Sequence, residues 1–188
     1  GRQDARWGGS LDEFIAEIAP ARTFGFARER DALLAAGRAR GARPGPVLIF
    51  DDADLDKAIF GAAMGIFVHS GQGCVCGSRI FVQRGVYDQV VEGIAGVANF
   101  MKYGGPDEEG VMSGPLISAK QLDRVMGFIE EGKREGAEVV TGGHRLDRKG
   151  YFVHPTVLTN VDPSMRLYQQ EIFGPVVSII PFDDEDEA

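Results

Sequence analysis

Cys74 is the residue of this sequence best placed to do chemistry. It stands in Gly71-Gln72-Gly73-Cys74-Val75-Cys76-Gly77-Ser78-Arg79, just after an apolar helical stretch. Glycines on both sides permit positive φ and close backbone approach, so the run reads as a tight turn that offers a thiol to a small carbonyl compound. The thiolate is the reactive form. A free cysteine has a pKa of about 8.5, and activation needs a helix N-terminus, a cation or a nearby base. The competing reading of Cys74 is a small packed hydrophobe, the ordinary condition of an unpaired cysteine, and for Cys76 packing is the stronger reading. His69 precedes Cys74 closely enough to be considered as its base, but continuation of the helix would turn it away, which favours a packing or polar role. Glu171-Ile172-Phe173-Gly174-Pro175-Val176 is the second feature: a carboxylate, an aromatic ring and a Gly-Pro turn feeding an apolar strand. An ionised carboxyl only accepts hydrogen bonds, so Glu171 suits ribose hydroxyls; the alternative is an ordinary surface acid.

Other patterns fail on spacing. Asp52-Ala53-Asp54-Leu55-Asp56 begins like a calcium loop, but Lys57 replaces the required glycine and Ala63 stands where the bidentate glutamate belongs, so it reads as a helix start. His69, His144 and His154 lack zinc spacing, and Cys74 and Cys76 alone cannot complete a site, so no metal is expected. Gly71-Gln72-Gly73 opens like a dinucleotide fingerprint, yet Cys76 takes the place of its third glycine, and no P-loop occurs.

The elements that must hold these residues alternate between strand and helix. Val47 to Phe50 reads as a short strand, followed by aspartates suited to a helix N-terminus and a helix through Phe67. Arg79 to Gln83 reads as a strand, Val86 to Met101 as a helix, and Ala119 to Glu135 as a helix with Leu122, Val125, Met126 and Ile129 at helical spacing. Ala137 to Thr141, Tyr151 to Leu158 and Val176 to Phe182 complete the strands. Such alternation predicts an α/β sheet with parallel pairs. Arg43-Pro44-Gly45-Pro46 interrupts both patterns and marks a boundary, with short helices upstream over Leu11 to Ile18 and Arg28 to Ala39.

At 188 residues and 44% hydrophobic content the chain can build one good core. A net charge of -8 argues against nucleic acid and anionic membrane as partners, and no stretch approaches the length of a membrane helix. Two cysteines separated by one residue are poorly placed for a disulfide, which suits reduced thiols and a cytoplasmic address. A start without Met suggests a fragment or a processed end. The acidic run Asp183 to Glu187 reads as a solvated surface.

Residues 46 to 188 resemble an internal part of the catalytic domain of the aldehyde dehydrogenase superfamily. The likeness rests on Asp52-Ala53-Asp54-Leu55-Asp56-Lys57-Ala58, Gly71-Gln72-Gly73-Cys74 with Gly77-Ser78-Arg79, Gly114-Pro115-Leu116-Ile117, Gly150-Tyr151-Phe152-Val153-His154-Pro155-Thr156-Val157, and Glu171-Ile172-Phe173-Gly174-Pro175-Val176, in the family's order. It implies a truncated parallel-sheet catalytic domain acting on a small-molecule aldehyde, with Cys74 as nucleophile, Glu171 and Phe173 as contacts to the nicotinamide ribose and ring, and NAD or NADP as cofactor. The implied course is a thiohemiacetal, hydride transfer and a thioester opened by water. The family's general-base Glu-Leu-Gly-Gly-Lys motif is replaced here by Arg43-Pro44-Gly45-Pro46, and its cofactor domain is not seen upstream, so this chain alone is expected to be weak or inactive. A homo-oligomer is a possible assembly, and a non-enzymatic folded fragment or self-associating module is the alternative function. Residues 1 to 42 are similar to an internal piece of UDP-3-O-acyl-N-acetylglucosamine deacetylase, with Thr23 matching that family's active-site threonine, so residues 1–45 and 46–188 read as a chimeric junction.

Overall fold

The computed structural model describes residues 46–188, and the helices expected over Leu11–Ile18 and Arg28–Ala39, Thr23 and the segment 1–45 lie outside the described residues. Five strands make one sheet. They are β1 (Pro46–Ile49), β2 (Arg79–Gln83), β3 (Glu138–Thr141), β4 (Thr156–Thr159) and β5 (Val176–Phe182), in the spatial order β1-β2-β5-β4-β3. The pairs β1/β2, β2/β5 and β5/β4 are parallel, and β3 runs antiparallel to β4. Pro46, which has no N–H to give, sits where a sheet tolerates it, at the first residue of an edge strand.

The helices are α1 (Leu55–Phe67), α2 (Tyr87–Phe100), α3 (Ala119–Glu135) and the single turn α4 (Arg166–Gln169). Asp54 caps α1 by accepting the Lys57 N–H at 3.3 Å, as the aspartate run implied. Ser118 caps α3 through the Gln121 N–H at 3.2 Å, and Gly136 ends it in a left-handed conformation at φ 110°. Ile59, Ala62, Ala63, Ile66 and Phe67 form the buried stripe of α1, and Val90, Ile94, Ala95 and Ala98 that of α2. A Cβ on Gly93 would lie 2.7 Å from Ile59, so this glycine lets α1 and α2 pack closely.

Layering follows from the alternation of side chains along β5. Val177 and Ile179 join α1, α2 and β2 in one core, while Val176 packs with α3, α4 and Leu158 in the other. The sheet is therefore covered on both faces, which is why β5 reads as a continuous apolar run.

Two expectations need correction. The pair β3/β4 is antiparallel, because the excursion between them is a loop rather than a crossover helix, and the register shifts between Val139 and Thr141. The strand expected over Tyr151–Leu158 is confined to Thr156–Thr159. Tyr151 and Phe152 spend their carbonyls on the Leu116 and Leu146 N–H groups, at 2.9 and 3.1 Å, and Pro155 brings no N–H. Among the described residues, α4 and the 3-10 turns Val68–Gly71 and Arg84–Val86 were not expected; each is too short to leave a periodic signal.

Candidate active site

Cys74 occupies an exposed corner of a turn closed by the Cys76 N–H and the Gly73 carbonyl at 3.1 Å. The loop carrying it leaves α1 and enters β2. Because β2 and β5 are parallel, the residues leading into both strands meet at one edge of the sheet, the amino ends of the strands. Open α/β sheets more often place ligands at the carboxyl ends.

Both ends of the Cys74 loop are fixed to neighbours. On the far side, the Ser178 N–H of β5 donates to the Ser78 carbonyl at 2.9 Å. On the near side, Gly71 has φ 63°, and a Cβ placed on it would lie 2.0 Å from the Gly174 carbonyl oxygen. No other residue fits there, so the Cys74 loop and the Glu171–Pro175 turn touch backbone to backbone. The Gln72 carboxamide holds a third segment: its Oε1 accepts the Ile117 N–H at 2.9 Å and its Nε2 donates to the Pro115 carbonyl at 3.4 Å.

The turn with Glu171 and Phe173 is shaped by α3. Gln121 Nε2 donates to the Ile172 and Phe173 carbonyls at 3.1 and 2.7 Å, and Arg124 donates to the Glu171 carbonyl at 2.6 Å. These bonds hold Phe173 at φ 61°, a conformation few non-glycine residues adopt. Glu171 is exposed and Phe173 half-buried. Gly174 packs under α3, where a Cβ would come within 2.4 Å of Val125.

The two cysteines differ in environment. Cys76 is half-buried against the α1/α2 core, and burial pushes its thiol pKa up, a backbone hydrogen bond from the Gly73 segment opposing this and the neighbouring Cys74 and Glu171 reinforcing it. Cys76 therefore stays protonated at neutral pH, in keeping with a packing role, and Cys74 and Glu171 both lie within electrostatic reach of it. His69 lies beyond the end of α1, in left-handed backbone at φ 58°, and borders a cleft of about 430 Å³ with Met112, Ser113 and Pro115. It was expected to be turned away by a helix; a strained turn sets its direction instead.

Sequence reasoning singled out Cys74, Glu171 and Phe173, and the structure brings their loops together. It missed Gln72, Gln121, Ser70 and Ser113, which hold those loops. Gln72 was available as part of the Gly-Gln-x-Cys run, whereas Gln121 gives no signal beyond a polar position on an amphipathic helix. Among the described residues no group of three or more His, Cys, Asp or Glu side chains could hold a metal ion, and no helix is long and apolar enough to cross a membrane.

A sheet covered on both faces, with an exposed thiol on a glycine-rich loop abutting a Glu-x-Phe-Gly-Pro turn, defines a class of α/β domains with a cysteine at the strand edge. The aldehyde dehydrogenase family matches residues 44–188, and the chain belongs to it. It is 50% identical over 143 residues to an aldehyde dehydrogenase of Emericella nidulans, covering 76% of this chain and 29% of that protein. It is 44% identical to aldehyde dehydrogenase family 2 member C4 of Arabidopsis thaliana, covering 76% and 28% of the two chains. Among solved structures, the NAD+ complex of an aldehyde dehydrogenase from Bacillus cereus aligns with a TM-score of 0.75 at 43% identity, over 84% of this chain and 33% of that one. A betaine aldehyde dehydrogenase from Staphylococcus aureus, solved with NAD+ and a BME-modified cysteine, aligns with a TM-score of 0.74 at 39% identity, over 76% and 30%. The chain thus spans less than a third of the length of these two curated relatives. The resemblance of residues 1–42 to the deacetylase family finds no support in these matches, the family match beginning at residue 44.

Proposed function

We propose that residues 46–188 are the nucleophile-bearing part of an enzyme that oxidises an aldehyde to a carboxylic acid with NAD or NADP. The observation that carries this reading is the backbone contact of Gly71 with Gly174, which joins the Cys74 loop to the Glu171–Phe173 turn. The Cys74 thiolate adds to the aldehyde carbon, forming a C–S bond and an alkoxide, and the Cys74 backbone N–H donates to that oxyanion. A donor of this kind contributes on the order of 10²-fold in rate. A nicotinamide held beside the Glu171–Phe173 turn would supply the acceptor for the hydride leaving the carbon bonded to Cys74. Water then opens the thioester, releasing the acid and returning the thiol.

The residues present fit one end of such a dinucleotide. Glu171 is an exposed carboxylate able to accept from ribose hydroxyls, and the half-buried Phe173 ring stands on the same turn. The described residues contain no glycine-rich phosphate fingerprint, so the rest of the cofactor would be held elsewhere. Little or no dehydrogenase rate is therefore expected from the purified 188-residue chain. That the bacterial betaine aldehyde dehydrogenase was solved with NAD+ and a BME-modified cysteine supports both the cofactor and the reactive thiol.

Labelling with a mild thiol reagent at neutral pH tests this reading in the parent chain, Cys74→Ser and Cys76→Ser, with and without NAD. Fast, stoichiometric labelling lost only in Cys74→Ser is the expected result. Equal, slow labelling of both cysteines would overturn the assignment of Cys74 as nucleophile.

A further inference from the structure

The backbone that delivers Cys74 is wound the wrong way for three residues in succession. His69, Ser70 and Gly71 have φ of 58°, 54° and 63°. Only the glycine adopts this conformation without penalty, and non-glycine residues persist there only when their surroundings fix them. The fixing group is found in a segment distant in sequence. Ser113 Oγ accepts the Ser70 N–H at 2.8 Å and pairs with Ser70 Oγ at 3.1 Å, while Ser70 Oγ donates to the Gly114 carbonyl. The Ser70 hydroxyl proton is spent on Gly114, so Ser113 supplies the proton between the two hydroxyls. Ser70 is 2% and Ser113 5% exposed, which leaves little access for water to replace these bonds.

Ser113 is itself held. Its carbonyl accepts the Gly104 N–H at 3.1 Å, and Tyr103, next to Gly104, donates its hydroxyl to the Phe67 carbonyl at the end of α1 at 2.8 Å. Within four residues of Ser113, the Pro115 carbonyl and Ile117 N–H engage Gln72. The segment 113–117 thus grips 70–72 at two points, immediately before the nucleophile turn.

We propose that Ser113 is a positioning residue for the Cys74 nucleophile: its hydroxyl holds Ser70 in left-handed backbone and so sets the direction in which the next turn presents the thiol. The inference rests on the reading of Cys74 above, and it assigns to Ser113 no contact with substrate. Nothing in the Gly114-Pro115 run announces it, because a serine before Gly-Pro looks like an ordinary turn residue.

The test uses the full chain in a Cys76→Ser background, with two readouts: hydrogen exchange of residues 68–76, and the rate of Cys74 alkylation by iodoacetamide. Ser113→Ala should speed exchange across this loop by about tenfold and slow alkylation about fivefold or more, since a thiol no longer held in its presented direction loses its advantage. Ser113→Thr retains the hydroxyl beside the cleft and should return both readouts to within about twofold of the parent. Val90→Ala, a core truncation in α2, should lower the melting temperature while leaving both unchanged. Alkylation in Ser113→Ala that is unchanged or faster, or Ser113→Thr behaving like Ser113→Ala, would overturn the inference. If Ser113→Ala fails to fold, Ser113→Cys replaces it, with alkylation still read at Cys74: the thiol is a weaker acceptor for the Ser70 N–H, both readouts should move in the same directions by less, and no change in either would overturn the inference. A parent Cys74 that alkylates no faster than the thiol of an unstructured peptide would instead overturn the nucleophile reading, leaving the exchange comparison to decide whether Ser113 holds the loop.

Discussion

At the scale of single residues, the site depends on atoms that are absent. Gly71 meets the Gly174 carbonyl where a Cβ would stand 2.0 Å from oxygen, and its φ of 63° penalises any side chain as well. Backbone cannot retreat as the end of a flexible side chain can, so the two loops would have to separate. Gly71→Ala should therefore cost about 3 kcal/mol or more in urea unfolding, combining local strain with overpacking. It should also reduce Cys74 labelling under conditions where the protein remains folded. A cost under about 1 kcal/mol would show that the loops move apart easily, and that the contact joining Cys74 to the Glu171 turn is not needed.

At the scale of elements, α3 supports the Glu171–Pro175 turn from beneath, through the Gln121 and Arg124 side chains and the Val125 side chain against Gly174. A Cβ on Gly174 would lie 2.4 Å from one Val125 methyl but 3.4 Å from the Val125 Cβ, so the clash is with the branches alone. Gly174→Ala should accordingly destabilise by about 1–3 kcal/mol in the parent, and by less than about 0.5 kcal/mol when Val125→Ala is already present. Additive costs in this double-mutant cycle would mean that some other contact makes Gly174 necessary. Most helices and strands were legible because their signals are local: the aspartates before α1, the period of the α3 stripe, the apolar run of β5. The Cys74 thiol and the Glu171 carboxylate stand out in the sequence because chemistry restricts the residue types that could serve the proposed reaction. The supports were not. Gln121 and Ser113 act through hydrogen bonds to backbone 43 to 52 residues away, and any polar side chain on an amphipathic helix or in a turn looks the same in sequence. The reversed direction of β3 was hidden for a related reason, since it depends on how the long loop between Thr141 and Thr156 folds back.

For the whole molecule, titration sets a window of stability with different groups at its two ends. Asp54, Glu108, Asp162 and Asp183 all have pKa values held below the ordinary carboxylate value, by hydrogen bonds to Lys57, Arg148, Ser164 and Arg84 respectively. Their stabilisation is present above the unfolded carboxylate pKa of about 4 and is lost as pH falls below it. Asp54, Asp162 and Asp183 are exposed and Glu108 is half-buried, so the acid limb should be shallow and should flatten further in salt. The alkaline limb belongs to buried groups. Burial raises Tyr103 strongly and Tyr87 and Cys76 more modestly, with neighbouring acids adding to the last two. A raised pKa means that the folded chain keeps a proton the unfolded chain gives up, so stability is complete below the unfolded pKa and declines as pH climbs past it. For Tyr103, whose hydroxyl is committed to the Phe67 carbonyl at 2.8 Å, that decline starts near pH 10 and amounts to about 1.4 kcal/mol per pH unit while the folded phenol stays neutral. Melting temperatures measured from pH 6 to 11 should hold level through pH 8 and then fall steeply. Tyr103→Phe should be less stable at pH 7, through loss of that hydrogen bond, but should fall less steeply above pH 10. Parallel alkaline slopes for the two proteins would mean that the Tyr103 phenol ionises without unfolding the chain, and that the α1 end it secures can open by itself.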